Sequence, residues 1–437
     1  MDDNINYKKS RFVVEKKTET DLNLLNTLYG SFWKVSGKIM EEVWKCFQSC
    51  GMENAKWIQF LTENHYLYNM KDEDEIEQCK KMAERVVDEN ILNLIILPTE
   101  KCNFMCNYCY EGHQGINMSQ NNIEKLVNFT NKMLVGKRGL NVSWFGGEPL
   151  LQFEVIKTLS EKFINLCKEK RLPYTASITT NGFYLNVNKF EELKRLHVYS
   201  FQITIDGFAE THNKQRYLNG GKGSWKVIVE NILKIKEKVK SNLVTFMVRV
   251  NINKAVYENY REFVDFLHDE LFNDKRFKFL FRPVYDWGNI EATVKENFIS
   301  EKEYLDVITY SLEKGLYNEA VKMAITPGGN LCYAWKHNNY VIRSSGELVK
   351  CTVYLERENS KIGNLDSEKI CLDKWKFEFD KIAQKCKICC KMPICLKMFC
   401  ETEESLECDE VTKNLENIIE LIAQEKYGCK EISDVGQ

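Results

Sequence analysis

From residue 91 onward, six short apolar segments alternate with longer helical segments, and this alternation limits the possible folds more than any other feature. The apolar segments are ILNLIILPT, LNVSWF, TASITT, VYSFQITID, LVTFMVRVNI and FKFLFRPV. Helical stretches include 119–135, 150–171 and 224–240. Strands that alternate with helices form parallel sheets. The sequence therefore predicts an α/β fold, a partial (β/α)6 barrel whose site lies at the carboxyl ends of the strands.

The first 90 residues have a different pattern. Strand-like RFVVEK and GSFWKV precede three helical segments, KIMEEVWKCFQ, AKWIQFLTENH and EIEQCKKMAERVV. Short strands followed by three helices indicate a winged-helix-like α+β module. Such modules commonly bind DNA, but the third helical segment mixes both signs of charge and the formal net charge of the chain is -2. We therefore expect no nucleic-acid partner.

The cysteine content indicates metal ligation. The opening MDDNINYKKS lacks the apolar run of a signal peptide, and no stretch of 18 apolar residues occurs, so we expect a cytoplasmic protein without a membrane partner. In a reducing compartment, clustered cysteines favour metal sites over disulfides. Ten of the seventeen cysteines follow residue 331, which predicts a C-terminal cysteine-rich iron-sulfur domain. The predicted domain ranges are 1–90, 91–310, a bridging segment at 311–330, and 331–437.

Three further cysteines, Cys102, Cys106 and Cys109, directly follow the first predicted strand of the barrel. A CxxxCxxC triad of thiolates can hold a 4Fe-4S cluster and leave one iron without a protein ligand. Zinc is the alternative, but a zinc site normally takes four ligands in two CxxC-like pairs. The triad therefore predicts a cluster with one open iron at the mouth of the barrel.

The triad segment CNFMCNYCY resembles the signature of the radical S-adenosylmethionine (SAM) superfamily. Three more segments, SWFGGEPLL, SITTNG and ITIDGFAETHNKQR, follow in the order in which that family carries them. The resemblance covers roughly residues 91 to 310. It implies that the open iron chelates the amino and carboxylate groups of SAM, and that one electron passed to the sulfonium releases a 5′-deoxyadenosyl radical.

The same resemblance implies a set of cofactor contacts. Gly146 and Gly147 let the backbone approach the ligand, and Glu148 supplies a carboxylate for the methionyl ammonium. The other implied contacts are Tyr108 near the adenine, Thr180 and Asn181 at the end of the third strand, Thr204 for the ribose, and Arg216 for the methionyl carboxylate. Each residue alone fits a turn or core role better, but together with the triad they favour the cofactor.

The late cysteines are similar to the pattern of the SPASM domain, which carries up to two auxiliary 4Fe-4S clusters. In that arrangement Cys332, Cys351 and Cys400 hold the first auxiliary cluster, and Cys386, Cys389, Cys395 and Cys408 hold the second. Four residues, LKMF, precede Cys400 where the family usually has three, often with glycine, so Cys390 is the nearest substitute. Cys371 or another donor completes the first set, or its open iron faces the cavity. A structural zinc ribbon is the alternative.

SPASM enzymes act mostly on ribosomally made peptides or protein side chains, so the resemblance implies a peptide maturase with three 4Fe-4S clusters and an external one-electron reductant. The N-terminal module would bind the leader of the precursor peptide as an added strand. Enzymes of the streptide synthase type, which join lysine and tryptophan carbons, are favoured over thioether-forming (sactipeptide or ranthipeptide) maturases. Anaerobic sulfatase maturases place an aspartate where this chain has Thr352, which counts against them.

The sequence does not identify a catalytic base. Glu303, Asp286 and Glu347 are carboxylates near predicted cavity walls, although solvated surface positions fit them better. Two other protein classes remain open. An iron-sulfur electron carrier would need no aminoacyl pocket, so FGGEP and TTNG count against it. A DNA-binding sensor would need a basic recognition helix.

Overall fold

The computed structural model describes residues 6–71, 74–112, 115–287, 292–398, 408–425 and 427–433, with the backbone alone at 292 and 293. The chain divides into two compact units. The barrel unit comprises Asp88–Asn318 and Tyr333–Lys376, and the flanking unit comprises Met1–Val87, Glu319–Cys332 and Phe377–Gln437. Among the described residues, no helix is both long enough and apolar enough to cross a membrane.

The elements are numbered along the chain. The strands are β1 (Tyr7–Lys9), β2 (Val13–Lys17), β3 (Asp21–Asn26), β4 (Ser31–Ser36), β5 (Leu67–Asn69), β6 (Leu92–Ile96), β7 (Leu140–Trp144), β8 (Tyr174–Thr180), β9 (Val198–Thr204), β10 (Thr245–Ile252), β11 (Phe277–Pro283), β12 (Asn339–Ile342), β13 (Glu347–Val349), β14 (Lys361–Asn364) and β15 (Lys430–Ile432). The α-helices are α1 (Lys38–Gln48), α2 (Ile58–Glu63), α3 (Glu75–Val87), α4 (Gln120–Met133), α5 (Phe153–Lys170), α6 (Val187–Arg195), α7 (Ala209–Gln215), α8 (Trp225–Lys238), α9 (Lys254–Tyr257), α10 (Tyr260–Leu267), α11 (Ala292–Lys295), α12 (Glu301–Glu313), α13 (Glu319–Ala324), α14 (Gln384–Lys387), α15 (Met392–Cys395), α16 (Glu410–Lys413) and α17 (Leu415–Gln424).

The barrel unit is built on one sheet with the order β11-β10-β9-β8-β7-β6-β12-β13-β14. Strands β6 to β11 are all parallel to their neighbours, and β12 joins β6 in parallel as well. Strands β13 and β14 continue the sheet in antiparallel pairing. This arrangement confirms the predicted α/β fold with a parallel sheet of strand–helix units.

Side chains of the central strands alternate between the two faces of the sheet. In β10, Phe246 and Val248 are buried, while Arg249 between Val248 and Val250 is half-buried. The Phe246 ring stacks on Phe201 and Phe277 of the adjacent strands, with centroid distances of 5.6 and 4.8 Å. One face is thus an apolar core, and the opposite face can carry polar side chains.

Helix starts follow local capping chemistry. The Ser119 hydroxyl accepts the backbone N–H of Asn122 at the start of α4, and the Asn186 side chain accepts that of Lys189 at the start of α6. Each cap satisfies a backbone donor that the helix itself leaves without a partner. The preceding loops are thereby fixed at the ends of β6 and β8, where the polar residues collect.

The flanking unit contains a second sheet. Strands β2, β3 and β4 are antiparallel, β15 joins β4 in parallel, and β1 pairs separately with β5. Helix α1 buries Met40, Val43 and Phe47 in the same apolar cluster as Leu22 and Leu24 of β3. Antiparallel strands with helices α1 to α3 have the α+β content predicted for this region. The winged-helix assignment stays a prediction.

The two units divide the chain differently from the predicted ranges. Strands β12, β13 and β14 extend the barrel sheet, although the sequence analysis assigned them to the cysteine-rich region at 331–437. The physical reason is that β6 would otherwise be an edge strand with unpaired backbone groups. Strand β12 pairs with this edge, although the two strands are far apart in the sequence. Residues 377–437, in contrast, belong with the N-terminal residues. As functional domains, the predicted ranges stay predictions.

Candidate functional site

The three cysteines of the triad lie in the loop after β6, and all three line one cavity of about 160 Å³. The backbone N–H of Phe104 donates to the Cys102 sulfur at 3.4 Å, and that of Cys109 donates to the Cys106 carbonyl at 3.1 Å. Burial raises the pKa of Cys102 to about 12 and also raises the pKa of Cys106 and of Cys109. Without metal these thiols are protonated, so iron binding would release protons.

Among the described residues, no three histidine, cysteine or acidic side chains are close enough to hold a single metal ion. A 4Fe-4S cluster places each thiolate on a different iron and so needs the sulfur atoms farther apart. The donor set, three thiols from one loop facing one cavity, fits such a cluster.

The two glycines after β7 brace the cysteine loop. Gly146 has a φ of +84°, and a Cβ there would lie 2.3 Å from Cγ of Leu97. Gly147 has a φ of +43°, and a Cβ there would lie 2.1 Å from the Lys101 carbonyl oxygen. The backbone N–H of Glu148 donates to that same carbonyl at 2.9 Å. Only glycine allows this approach, and both glycines line the cavity.

Glu148 itself is completely buried. Its carboxylate accepts hydrogen bonds from the Thr180 hydroxyl at 2.8 Å, from the Asn181 backbone N–H at 2.7 Å and from the Leu150 backbone N–H at 3.0 Å. Burial raises its pKa to about 7. The observed role of this carboxylate is to tie the end of β7 to the end of β8, and its predicted contact with a methionyl ammonium stays a prediction.

A second glutamate, which the sequence analysis did not single out, does line the cavity. Glu111 follows Cys109 by two residues and accepts the backbone N–H of Gly147 at 2.7 Å. Burial raises the pKa of Glu111 to about 7, and the neighbouring carboxylates Glu100 and Glu148 act in the same direction. The only sequence signal for it is an acidic residue directly after the aromatic end of the triad segment.

A buried hydrogen-bond network joins the triad loop to the far strands. The Tyr108 hydroxyl donates to Oδ2 of Asp206 and accepts from Nη1 of Arg216 at 2.6 Å and from Nδ2 of Asn251 at 3.1 Å. The second oxygen of Asp206 accepts the backbone N–H of Asn251 at 2.7 Å. Asp206 and Asn251 were absent from the predicted site, because nothing local in the sequence distinguishes them from strand-end residues.

Arg216 has an unused donor. The residue is 7% exposed, and its Nε–H has no hydrogen-bond partner in the described part of the chain. Arg216 lines the cavity together with Thr180, Asn181 and Thr204, so the predicted contacts of β8, β9 and α7 converge there. A buried N–H that lacks a partner is costly unless a ligand satisfies it. An anionic group such as a methionyl carboxylate fits this position.

Arg249 of β10 is a further cationic side chain in the cavity wall that the sequence analysis missed. Its Nε donates to the Asn251 side chain at 2.8 Å. Burial lowers its pKa, and the nearby Arg282 acts in the same direction. The alternation of side chains within β10 predicts which face of the sheet carries Arg249. It does not predict that this residue lines the cavity.

A second cavity of about 160 Å³ adjoins the first. The two cavities share Tyr110, Glu111 and Trp287 as lining residues. The other residues that line the second cavity are Glu100, Gly112, Thr352, Val353, Tyr354, Leu355, Glu356 and Arg357. Thr352, the residue that counted against a sulfatase maturase, is therefore a wall residue next to the cysteine cavity.

None of the three candidate bases is among the residues found to line these two cavities. Glu303 forms a capping box with Ser300 at the start of α12. Asp286 is exposed and pairs with Lys295, and Glu347 pairs with Nη1 of Arg343 at 3.0 Å. Each carboxylate thus has a structural partner, and a catalytic role for any of them stays a prediction.

The second predicted set of auxiliary cysteines is gathered within the flanking unit. Burial raises the pKa of Cys395 to about 12, and the nearby thiols of Cys408, Cys389 and Cys386 contribute to this rise. Burial also raises the pKa of Cys386, with Cys408 and Cys389 again as neighbours. A hydrogen bond with the Cys390 thiol lowers the pKa of Cys389. These thiols are thus close enough to affect one another's ionisation, and their role as ligands of one cluster stays a prediction.

The cysteines of the first predicted auxiliary set are divided between the two units. Cys332 is exposed and belongs to the flanking unit, whereas Cys351 is buried in the barrel unit. Cys371 is exposed in the barrel unit, and Cys400 lies outside the described residues. This set stays a prediction.

Comparison with known proteins identifies the class of the domain. Residues 96–267 match the family model described as the radical SAM superfamily. The chain is similar to the radical SAM cyclopropyl synthase TigE of Paramaledivibacter caminithermalis, with 24% identity over 292 residues that cover 57% of this chain and 58% of that protein. It is also similar to a cysteine-type anaerobic sulfatase-maturating enzyme of Clostridium novyi, with 25% identity over 63% of this chain and 77% of that enzyme.

The match spans less than two thirds of the first curated relatives, 58% of TigE and 59% of a Methanocaldococcus jannaschii protein. Among solved structures, native anSMEcpe with bound AdoMet and Kp18Cys peptide has a TM-score of 0.61 at 19% identity, over 77% of this chain and 98% of that chain. Streptococcus suis SuiB bound to precursor peptide SuiA has a TM-score of 0.50 at 15% identity, over 91% and 97%. At these identities the likeness concerns the fold.

Proposed function

Because residues 96–267 form a domain of the radical SAM superfamily, we propose that this protein is a peptide maturase that abstracts a hydrogen atom from a ribosomally made precursor peptide and joins two of its residues oxidatively. The favoured product is a carbon–carbon bond between lysine and tryptophan, as in streptide-type peptides. One observation carries the proposal. Three cysteines, two glycines and an arginine with an unused buried donor line the same cavity at the carboxyl ends of the strands.

The residues present fit the two groups that such a domain implies, a 4Fe-4S cluster and SAM. Cys102, Cys106 and Cys109 would hold the cluster, and the unused Nε–H of Arg216 would pair with the methionyl carboxylate. When bound, these groups supply one electron from an external reductant and a carbon radical that abstracts hydrogen.

The chain's own residues would orient the cofactor. The Tyr108 hydroxyl is held by Asp206, Arg216 and Asn251, which fixes the position of this side chain in the cavity wall. The glycine at 147 keeps the cysteine loop against the end of β7. Rigid positioning of this kind lowers the entropic cost of bringing the reacting groups together.

The second cavity is suited to admit the residue to be modified. It shares Tyr110, Glu111 and Trp287 with the cysteine cavity, so a side chain entering there would lie next to the cofactor. The rings of Tyr110, Trp287 and Tyr354 would exclude water from it.

The auxiliary cysteines would complete the oxidation. A substrate radical that forms a new bond must lose one electron, and a cluster held by Cys386, Cys389, Cys395 and Cys408 could accept it. Cys332, Cys351 and Cys400 would hold the third cluster. The N-terminal residues would bind the leader of the precursor as an added strand.

Known relatives support a peptide substrate. SuiB has been solved with the precursor peptide SuiA, and anSMEcpe with the Kp18Cys peptide. TigE is named a radical SAM cyclopropyl synthase. The bond made by the present protein is the part of the proposal that an experiment must decide.

The test uses the peptide encoded by a short open reading frame beside the gene. The peptide is incubated with reconstituted enzyme, SAM and a one-electron reductant, and the product is analysed by tandem mass spectrometry. A loss of two hydrogens with missing fragments between lysine and tryptophan is expected. A product whose cysteine no longer reacts with an alkylating agent would favour the thioether-forming alternative. An unmodified peptide, despite 5′-deoxyadenosine formation, would contradict the proposal for that peptide.

A further inference from the structure

Arg249 of β10 lines the cysteine cavity and is half-buried in its wall. Its Nε donates to Oδ1 of Asn251 at 2.8 Å. Within the described part of the chain, the two Nη groups form no hydrogen bond and no ion pair. These groups carry four N–H donors, so the guanidinium keeps most of its capacity to bind a ligand.

The acidic groups near this cavity have other partners. Glu111, the one carboxylate among the described residues that line the cavity, accepts a backbone N–H. Asp206 accepts the backbone N–H of Asn251 and lies 3.9 Å from Nη1 of Arg216. The described residues thus place a carboxylate within ion-pair distance of Arg216 but not of Arg249.

A second arginine adds positive charge next to Arg249. In the parallel pairing of β10 and β11, Arg282 lies opposite Asn251, which is two residues after Arg249. Because side chains alternate along a strand, these three residues lie on the same face of the sheet. Burial lowers the pKa of Arg249, and the charge of Arg282 acts in the same direction. Two cations at one wall of a cavity attract an anionic ligand.

The two arginines of the cysteine cavity have different neighbours. Arg216 contacts the triad loop, because its Nη1 donates to the Tyr108 hydroxyl and its guanidinium carbon lies 5.7 Å from the centre of the Phe104 ring. After burial, Tyr110 has the largest effect on the pKa of Arg249, and Tyr110 lines both cavities. Arg216 is therefore placed for the cofactor, and Arg249 for a ligand at the wall that the two cavities share.

We propose that Arg249 is a substrate-binding residue that takes a carboxylate of the precursor peptide, the side chain of an aspartate or glutamate near the residue to be modified. The proposal rests on the proposed function for the identity of the substrate. A carboxylate suits a guanidinium because two parallel N–H···O bonds can form. An extended peptide advances about 3.3 to 3.6 Å per residue. Since the cavities share a wall, the acidic residue is expected within about two positions of the modified one.

The test uses two short probes that differ in one charge. They are the acetylated and amidated tripeptide Lys-Glu-Trp and the same tripeptide with glutamine in place of glutamate. Each is titrated, without reductant, into the full chain loaded with its clusters and SAM, and binding is followed by the broadening of the probe's NMR signals. The glutamate probe is expected to bind at least about tenfold more tightly. Equal affinities would overturn the proposal, because a contact with the peptide main chain does not depend on this charge.

Variants at the same position assign the preference to one side chain. Arg249→Gln should abolish it, and Arg249→Lys, which keeps the charge but loses the planar fork, should retain only part of it. Arg138→Gln, at an exposed arginine, is the matched control and should keep the full preference. A preference that survives in Arg249→Gln would reject the proposal. If that variant folds poorly, Arg249→Lys decides, since an undiminished preference there would contradict the bidentate contact.

A cofactor measurement separates a role in substrate binding from a structural role or a contact with SAM. In Arg249→Gln the affinity for SAM, and the rate of 5′-deoxyadenosine formation without peptide, should stay unchanged. A loss of SAM affinity of about tenfold or more would assign Arg249 to the cofactor and overturn the proposal.

The precursor peptide then tests the site in turnover. Changing its acidic residue nearest the modified position to the amide should raise KM about tenfold at unchanged kcat, and in Arg249→Gln the same change should add nothing, because both changes remove one contact. Modification with a KM that is independent of these acidic residues would leave the proposed function intact and reject the role of Arg249. A probe preference that Arg249→Gln abolishes, with no modification of the precursor, would support the anion site while the maturase proposal failed.

Discussion

Nη1 of Arg216 donates a hydrogen bond to the hydroxyl of Tyr108 at 2.6 Å, so a residue between two cysteines of the triad is tied to the end of α7. The same hydroxyl donates to Asp206, which is completely buried. The phenolic oxygen of Tyr108 therefore both positions Arg216 and supplies a hydrogen bond to the buried carboxylate of Asp206.

Removal of that oxygen should weaken both the fold and cofactor binding. Tyr108→Phe leaves Asp206 without its side-chain donor, and we expect the free energy of unfolding to fall by about 2 kcal/mol. The affinity of the cluster-loaded protein for SAM should drop about tenfold, because Arg216 loses its support. Equilibrium urea unfolding and calorimetric titration measure the two effects. Tyr184→Phe, at a side chain that is 39% exposed, is the matched control and should change neither.

The close approach of Gly147 to Lys101 predicts a large effect of one methyl group. Gly147→Ala forces a Cβ onto a backbone carbonyl at a positive φ, so the free energy of unfolding should fall by about 3 kcal/mol. Gly136 has a φ of +74° but open space around it, so Gly136→Ala should cost only about 1 kcal/mol from the backbone conformation. Equal losses in urea unfolding would show that steric contact with Lys101 is unimportant.

The triad should account for one cluster. Three 4Fe-4S clusters correspond to about twelve irons per chain, and changing Cys102, Cys106 and Cys109 together to alanine should leave about eight. The variant should form no 5′-deoxyadenosine from SAM under reducing conditions. Cys167→Ala, at a buried thiol of α5, is the control and should keep all of the iron. Persistent cleavage of SAM by the triple variant would refute the cofactor site.

The cysteines of the flanking unit should affect a different step. Cys386→Ala combined with Cys395→Ala should remove about a third of the iron but leave reductive cleavage of SAM in place. The crosslinked peptide should no longer form, since the electron from the substrate radical has lost its acceptor. Cys390→Ala tests the alternative ligand, and full iron content in that variant would exclude Cys390. Crosslinking by the double variant at the normal rate would contradict the electron-acceptor role.

A buried histidine predicts a dependence of stability on pH. His212 accepts the backbone N–H of Asp206 at Nδ1, and burial lowers its pKa to about 2. In the unfolded chain the imidazole takes up a proton below about pH 6.5, so the unfolded state binds more protons than the folded state between these values. The free energy of unfolding should fall by up to about 1.4 kcal/mol for each pH unit below 6.5. His212→Asn keeps an acceptor for Asp206 and should remove this slope in urea unfolding at pH 7, 6 and 5; an unchanged slope would assign it to other groups.

Local patterns in the sequence were sufficient to predict the strands of the barrel and the loops at their ends. The cysteine triad, the two glycines and the segment ending at Asn181 each have a recognisable local sequence. The periodicity of the apolar residues predicted the strands, and these segments directly follow them in the sequence. The reach of β12 to β6 was not predictable in this way, because strand pairing between residues about 250 positions apart leaves no local trace.

The residues that the sequence analysis missed share a physical feature. Arg249 and Asn251 lie within β10 and Asp206 follows β9, with mostly apolar neighbours in the sequence. They become site residues only through contact with Tyr108 or with the cavity. The candidate bases illustrate the reverse case. Glu303 is a helix-capping residue, which the spacing Ser300-x-x-Glu303 would have predicted.

The composition of the flanking unit has a consequence for biosynthesis. Its N-terminal strands pack with α17 and pair with β15, and Arg11 donates to the Lys387 carbonyl at 2.9 Å, so the first 87 residues share one core with segments near residues 387 and 430. At about 5 to 20 residues per second, a ribosome needs roughly 15 to 70 seconds between these parts. The barrel unit can begin to fold during that interval. The nascent N-terminal sheet meanwhile keeps the edge of β4 open until β15 is synthesised, and an open strand edge is a template for pairing with other chains.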